Sequence, residues 1–214
     1  MTQLEAEEIV ESIRRRLLAI EDDRSFRFRQ TSRADASRFL ASRGEFTGCS
    51  EAEVTDAEQR WGVRFPLLLR AYLRKVGAAH GCLFAGGRSS FSQFEQLKRG
   101  ALELMTEAGC TEGLPADAVV FLEHQGVSFF YLRAAGGEDS AIYLVAEWAK
   151  APTVVHDGFQ HLLETQIGLA EENHKRAIAM GGSFVQLIKG AIIESTPQLM
   201  GGVRPLDVDD DFID

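Results

Sequence analysis

Cysteine is scarce in this chain, and its three copies, Cys49, Cys82 and Cys110, are too widely spaced for a Cys-x-x-Cys pair or a zinc-ligand set. An odd number of scattered thiols points to free cysteines in a reducing compartment, not to a disulfide framework. Long apolar runs are missing too, so no segment approaches the roughly twenty residues of a membrane span. The opening MTQLEAEEIV is acidic where a secretory signal would be basic, and the expectation is a cytoplasmic protein. Basic residues are outnumbered 23 to 32, for a formal charge of −9. Nucleic acid is therefore a poor partner, because phosphate contacts need clustered lysine and arginine. Even that deficit is uneven. Residues 24–43 hold six arginines against Asp35, a local +5 that leaves −14 on the rest. That run reads as a solvated or internally paired basic face, with a patch for an acidic partner as the alternative.

Catalytic signatures are also lacking. The five histidines, His80, His124, His156, His161 and His174, form no His-Glu-x-x-His pair. His80 stands near Cys82 in sequence, and His156 and His161 flank a helix start, but neither pair has a third orienting group. Ala85 to Ser90, AGGRSS, is glycine-rich without the lysine of a phosphate loop. Surface histidines and core cysteines explain these residues, so neither catalysis nor a metal or other cofactor is expected.

What is present is a chain with 45% apolar residues, enough for one domain with an ordinary core. Its organising stretch is Val54–Gly77. Thr55 and Glu58 have the spacing of a capping box, Gly62 ends that helix, and Pro66 suits the first position of a second. Leu68, Tyr72 and Val76, with Leu69 and Leu73, give the second helix an apolar face, while Arg70, Arg74 and Lys75 take the other; Gly77 stops it. Trp61, beside the Gly62 break, is expected to be buried.

Val54, Thr55, Glu58, Gly62, Val63, Phe65, Pro66, Tyr72 and Leu73, followed by AVVFLEHQGVSFFYL and AIYLVAEW, resemble the SUKH superfamily, the Smi/Knr-type domain, over roughly Val54–Ile167. Leu67-Leu68-Leu69 and Gly77-Ala78-Ala79-His80-Gly81 stand where that family usually has acidic or polar residues and Asn-Gly-Gly. The resemblance implies a binding module. In bacteria its members are commonly immunity proteins that neutralise a cognate toxin, often a nuclease. A regulatory scaffold is the alternative within the superfamily, and an enzyme built on His and Cys is the alternative from another class.

Around the motif, Thr2 and Glu5 form a second capping-box pattern, and Leu4, Ile9, Ile13, Leu17 and Ile20 predict an amphipathic helix from Gln3 to about Ile20. Ser25–Gln30 alternates as a strand, Cys82–Phe84 is a short strand, and Ser92 with Glu95 opens a helix closed by Gly109. Ala118–Glu123, Val127–Leu132 and Ala141–Ala146 form an antiparallel meander that is apolar on both faces, so helices must flank it. Thr153–Val155 adds a strand, and Phe159–Met180 is helical with a break at Gly168. Phe184, Leu187, Ile188, Ile192 and Ile193 suggest one further helix.

The fold class is α+β: an antiparallel meander sheet flanked by helices, in one domain with an N-terminal helical extension and an acidic C-terminal tail. Residues 1–53 carry the N-terminal helix and arginine-rich segment, 54–180 the SUKH-like domain, and 181–214 the extension with its mobile tail. Five aspartates in the last eight residues repel one another and resist packing. For a basic toxin partner, the candidate contacts are Glu138, Asp139, Glu147, Trp148, Asp207, Asp209, Asp210 and Asp211. Trp148 has two readings. Burial is the plainer one, and an aromatic interface anchor is the other.

Overall fold

The computed structural model of the chain describes residues 1–21, 26–30, 46–81, 83–84, 87–180, 184–188 and 191–197. The first helix, α1 (Gln3–Glu21), has the predicted box: the Glu5 N–H donates to Thr2 Oγ1 at 3.3 Å and the Thr2 N–H to Glu5 Oε2 at 2.6 Å. Its buried stripe differs from the expected one. Ala6, Val10, Ile13 and Leu17 face the core, while Ile9 and Ile20 flank them and Leu4 is 66% exposed. At about 100° per residue, Leu4 lies half a turn from Ile13, so the two cannot share a face.

The motif helices are α2 (Glu51–Trp61) and α3 (Leu67–Val76). The capping box of α2 lies five residues earlier than predicted, on Ser50 and Glu53, whose mutual bonds measure 3.2 and 2.7 Å. Thr55 is inside the helix. Glu58 is thereby freed to accept the Phe65 N–H at 2.7 Å and a bond from Arg70. Gly62 ends α2 at φ 64, a conformation that glycine reaches without a Cβ penalty. Pro66 caps α3 from just outside and is not its first residue. As predicted, Leu68, Leu69, Tyr72, Leu73 and Val76 are buried. Trp61 is only half-buried: its ring meets the Phe65 ring edge-on at 5.7 Å, with Lys98 Nζ 5.6 Å above it.

Two short strands, β2 (Phe46–Thr47) and β3 (Ala79–His80), follow β1 (Phe26–Gln30) in the chain and pair with each other. The strand thus precedes the predicted Cys82–Phe84; Phe84 is in a turn at φ 59. Gly87–Arg88, read as plain loop, forms β4. A 3-10 turn at Phe91–Gln93 leads into α4 (Phe94–Glu107), so Ser92 sits in that turn and does not cap the helix.

The meander is β5 (Ala118–His124), β6 (Ser128–Arg133), β7 (Ile142–Ala146) and β8 (Thr153–His156). With β4 it makes an antiparallel five-stranded sheet, ordered β4-β5-β6-β7-β8. On one face α4 approaches so closely that a Cβ at Gly100 would lie 2.9 Å from the Phe129 ring. On the other, Phe121 meets Phe159 edge-on at 5.3 Å, and Phe159 meets Tyr72 of α3 at 5.4 Å. Phe159 opens α5 (Phe159–Met180), which runs through Gly168 without the predicted break. Arg16 ties α1 to α5, its Nε and Nη2 each 2.8 Å from the Glu171 carboxylate, and Nη1 reaches Glu164. The fold is α+β, a sheet flanked by helices.

The helix predicted after Gly181 is instead a pair of strands, β9 (Phe184–Ile188) and β10 (Ala191–Pro197), which form a three-stranded antiparallel sheet with β1. Val185, Ile188, Ile192, Ile193 and Thr196 are β-branched, which favours the extended form. The N-terminal segment therefore pairs with the C-terminal one, Phe28 opposite Ser195. Among the described residues no helix is long and apolar enough to cross a membrane.

Candidate interaction surface

The eight acids and aromatics expected to meet a partner separate into three groups. Glu138 and Asp139, in the β6–β7 connection, are used within the fold. The Leu67 N–H donates to Glu138 Oε2 at 2.9 Å, and the Gln160 N–H donates to Asp139 Oδ1 at 2.9 Å. One short connection thus supplies carboxylates to the first turns of α3 and α5, where unpaired N–H groups and the helix dipole favour negative charge. The α3 start has no side-chain cap of its own, since Pro66 stands at the cap position. The site on α5 is tightly built: a Cβ at Gly158 would lie 2.4 Å from Asp139 Oδ2.

Glu147 and Trp148 form the second group. They follow β7 at the end of the sheet opposite the capping connection. The Glu147 N–H bonds the Val127 carbonyl at 3.1 Å, and the Ala149 N–H bonds the Ala146 carbonyl at 3.0 Å. These bonds hold the turn against the Gln125–Gly126 turn, so His124, Gln125, Gly126, Glu147 and Trp148 make one exposed ridge. Trp148 is 71% exposed, which overturns the expectation of burial. Asp207, Asp209, Asp210 and Asp211 are the third group and lie outside the described residues, as does the tail predicted to be mobile.

Several ion pairs were not legible in the sequence. Arg70 bonds both Glu58 and Glu51, and Arg74 reaches Glu51 at 2.7 Å, which locks α3 to α2. Arg88 pairs with Glu123, a carboxylate only 4% exposed that also accepts the Gly126 N–H. Arg133 pairs with Asp117. Burial raises the Asp117 pKa, but the Ala135 N–H, at 3.0 Å, and Arg133 outweigh it and hold the carboxyl below its usual value. The seven-residue spacing of Glu51 and Glu58, which puts both on one helical face, is the signal from which the Arg70 hub could have been found.

The residues capable of catalysis are arranged otherwise. Ser89 Oγ and His80 Nε2 are 2.8 Å apart, a nucleophile–base distance, but Ser89 is 1% exposed and cannot meet a substrate. Burial lowers the pKa of His80. Cys49 is buried, and burial pushes its thiol up to about 11, which keeps it protonated and unreactive. The His156 and His161 rings meet edge-on at 5.1 Å. Among the described residues no three His, Cys, Asp or Glu side chains are grouped to hold a metal ion.

A comparison with curated proteins gives no match. The comparison with family models does: residues 48–165, more than half of the chain, match the SMI1 / KNR4 family (SUKH-1). The matched segment contains α2, α3, α4 and the five-stranded sheet, and ends inside α5, so it coincides with the layered core just described. The chain therefore belongs to the SMI1 / KNR4 family, SUKH-1, and so to the SUKH superfamily.

Proposed function

We propose that this protein is an immunity protein of the cytoplasm that binds a cognate bacterial toxin and blocks its active cleft, without catalysis of its own. Family membership over residues 48–165 is the observation that carries the reading. Charge supports it. A nuclease cleft is basic because it must hold phosphate, and a chain with formal charge −9 complements such a cleft. The contact surface is the Glu147–Trp148 ridge together with the tail acids Asp207, Asp209, Asp210 and Asp211. Trp148 supplies an exposed aromatic of the kind that dominates interface energies, and the acids steer the encounter. Glu138 and Asp139 contribute through the fold that presents the ridge, since their carboxylates cap helices.

The test is affinity capture from the native host, followed by reconstitution. The captured toxin domain, purified away from the chain, should be active, and one equivalent of the chain should abolish that activity. A captured partner whose activity survives excess chain, or catalytic turnover by the chain in the partner's absence, would contradict the assignment.

A further inference from the structure

We propose that the outer edge of β8 is a docking strand, which pairs backbone to backbone with an extended basic segment of the protein partner. The proposal rests on the partner-binding reading above and specifies how the partner is held. β8 ends the five-stranded sheet, and among the described residues its one strand neighbour is β7. An open edge offers unpaired N–H and C=O groups, and proteins usually blunt it with charge or brevity. The opposite edge does so. β4 is two residues long and carries Arg88, engaged with Glu123. β8 has four residues, Thr-Val-Val-His, with no lysine, arginine or acid among them, and its one irregularity is a register shift at Val155 in the pairing with β7.

Its side chains continue an apolar row. Tyr131 and Tyr143 stack with centroids 5.0 Å apart and planes 12° apart, and the register places Val154 beside Tyr143. Tyr131 is buried and Tyr143 half-buried, whereas Val154 is 56% exposed, so the row stops with its last member uncovered. A fifth meander strand would continue it with a β-branched or aromatic residue opposite Val154. Trp148 lies exposed in the connection leading into β8.

Length and charge decide the occupant. Four residues of strand span about 13 Å. That length alone does not cover the roughly 1,600 Å² of a standard stable interface, so pairing with a second copy through this edge is disfavoured. A second copy would also bring the same flanking acids, the exposed Glu147 and Asp157, which outnumber Lys150. A larger partner that lays a lysine- or arginine-bearing strand on β8 and covers Trp148 meets both conditions.

The probe is the peptide acetyl-Lys-Val-Thr-Val-Lys-Val-amide, titrated into the isotope-labelled full chain and followed by NMR. Shift changes should centre on Thr153–His156, and exchange of the amides there that point away from β7 should slow by about tenfold or more as the edge is covered. Replacing the peptide lysines by glutamates, methylating alternate peptide nitrogens, or introducing Val154→Lys should each weaken binding by about tenfold or more. The methylated peptide keeps the test valid even if Val154→Lys unfolds. The proposal would be overturned by changes centred elsewhere, by equal binding of the methylated peptide, by slow exchange without peptide at the amides of Thr153–His156 that point away from β7, or by protection that grows with protein concentration alone. If the wild-type chain neutralises its toxin and Val154→Lys does so equally well, the edge is refuted and the immunity reading stands. If peptide pairing is seen but no toxin is bound, the immunity reading fails by itself.

Discussion

The carboxylate of Asp139 accepts the backbone N–H of Gln160 at 2.9 Å, and the carboxylate of its neighbour Glu138 does the same for Leu67. Two adjacent acids on one strand connection therefore fix the starts of two helices on the Phe121 side of the sheet. Asp139→Ala should lower the unfolding free energy by about 0.5–2 kcal/mol, as loss of a capping acceptor does, and Glu138→Ala should act similarly. Urea unfolding checks this. An unchanged midpoint for both variants would mean that the two carboxylates do not act as caps.

Trp148→Ala is expected to behave in the opposite way. The ring is 71% exposed, so stability should change by less than about 0.5 kcal/mol. Affinity for the partner should fall by about 2 kcal/mol or more, the signature of an interface anchor. Chemical denaturation and calorimetric titration separate the two effects. Trp61→Ala, whose half-buried ring touches Phe65 and Lys98, should cost more stability than Trp148→Ala.

Gly168 lies within α5, and beyond its chain neighbours and its own helix backbone no atom comes within 4 Å of where a Cβ would stand. Gly168→Ala should therefore raise stability by about 0.5–1 kcal/mol, because alanine loses less backbone entropy in a helix. A thermal or urea midpoint shifted downward would show that the position is crowded.

Stability should also fall on mild acidification. His80 has its pKa lowered by burial, and His156 by burial and then by the nearby His161, so both are held neutral in the fold. Their contribution is complete above the unfolded value of about 6.5 and is lost as pH falls through the lower folded values. Asp117 and Glu171, lowered in the fold, add a separate loss further into the acid range. Urea unfolding at about pH 7.5, 6.5 and 5.5 should show the first decline, and His80→Gln should flatten it. Stability independent of pH over that interval would contradict the assignment.

The layered core was legible because its signals are local and repeated. The apolar faces of α3 and α4 have helical periodicity, and β5 to β7 are apolar runs divided by glycine turns. Capping was less legible, since Ser50-x-x-Glu53 and Thr55-x-x-Glu58 have the same pattern. Only the tertiary pairing of Glu58 with Arg70 and Phe65 decides between them. Phe184, Leu187, Ile188 and Ile192 suited a helical face, yet Ser195 and its neighbours pair with β1, more than 160 residues earlier. The candidate surface divided for a similar reason. Glu138 and Asp139 were read as free acids because their acceptor roles involve N–H groups 71 and 21 residues away, whereas among the described residues no N–H is seen to donate to the Glu147 carboxylate.

An acidic protein that neutralises a basic toxin by charge-guided binding associates with it at a rate that depends on salt. Between about 0.02 and 0.5 M salt the Debye length shortens from roughly 20 Å to roughly 4 Å. Stopped-flow mixing of the chain with the purified toxin domain should give a rate near 10⁸ M⁻¹s⁻¹, to order of magnitude, at the low end and a steep decline toward the high end. Glu147→Gln combined with neutralisation of Asp207, Asp209, Asp210 and Asp211 should lower the low-salt rate and flatten that decline. An association rate that is the same at both salt extremes, for the wild-type chain and the neutralised variant alike, would contradict the claim.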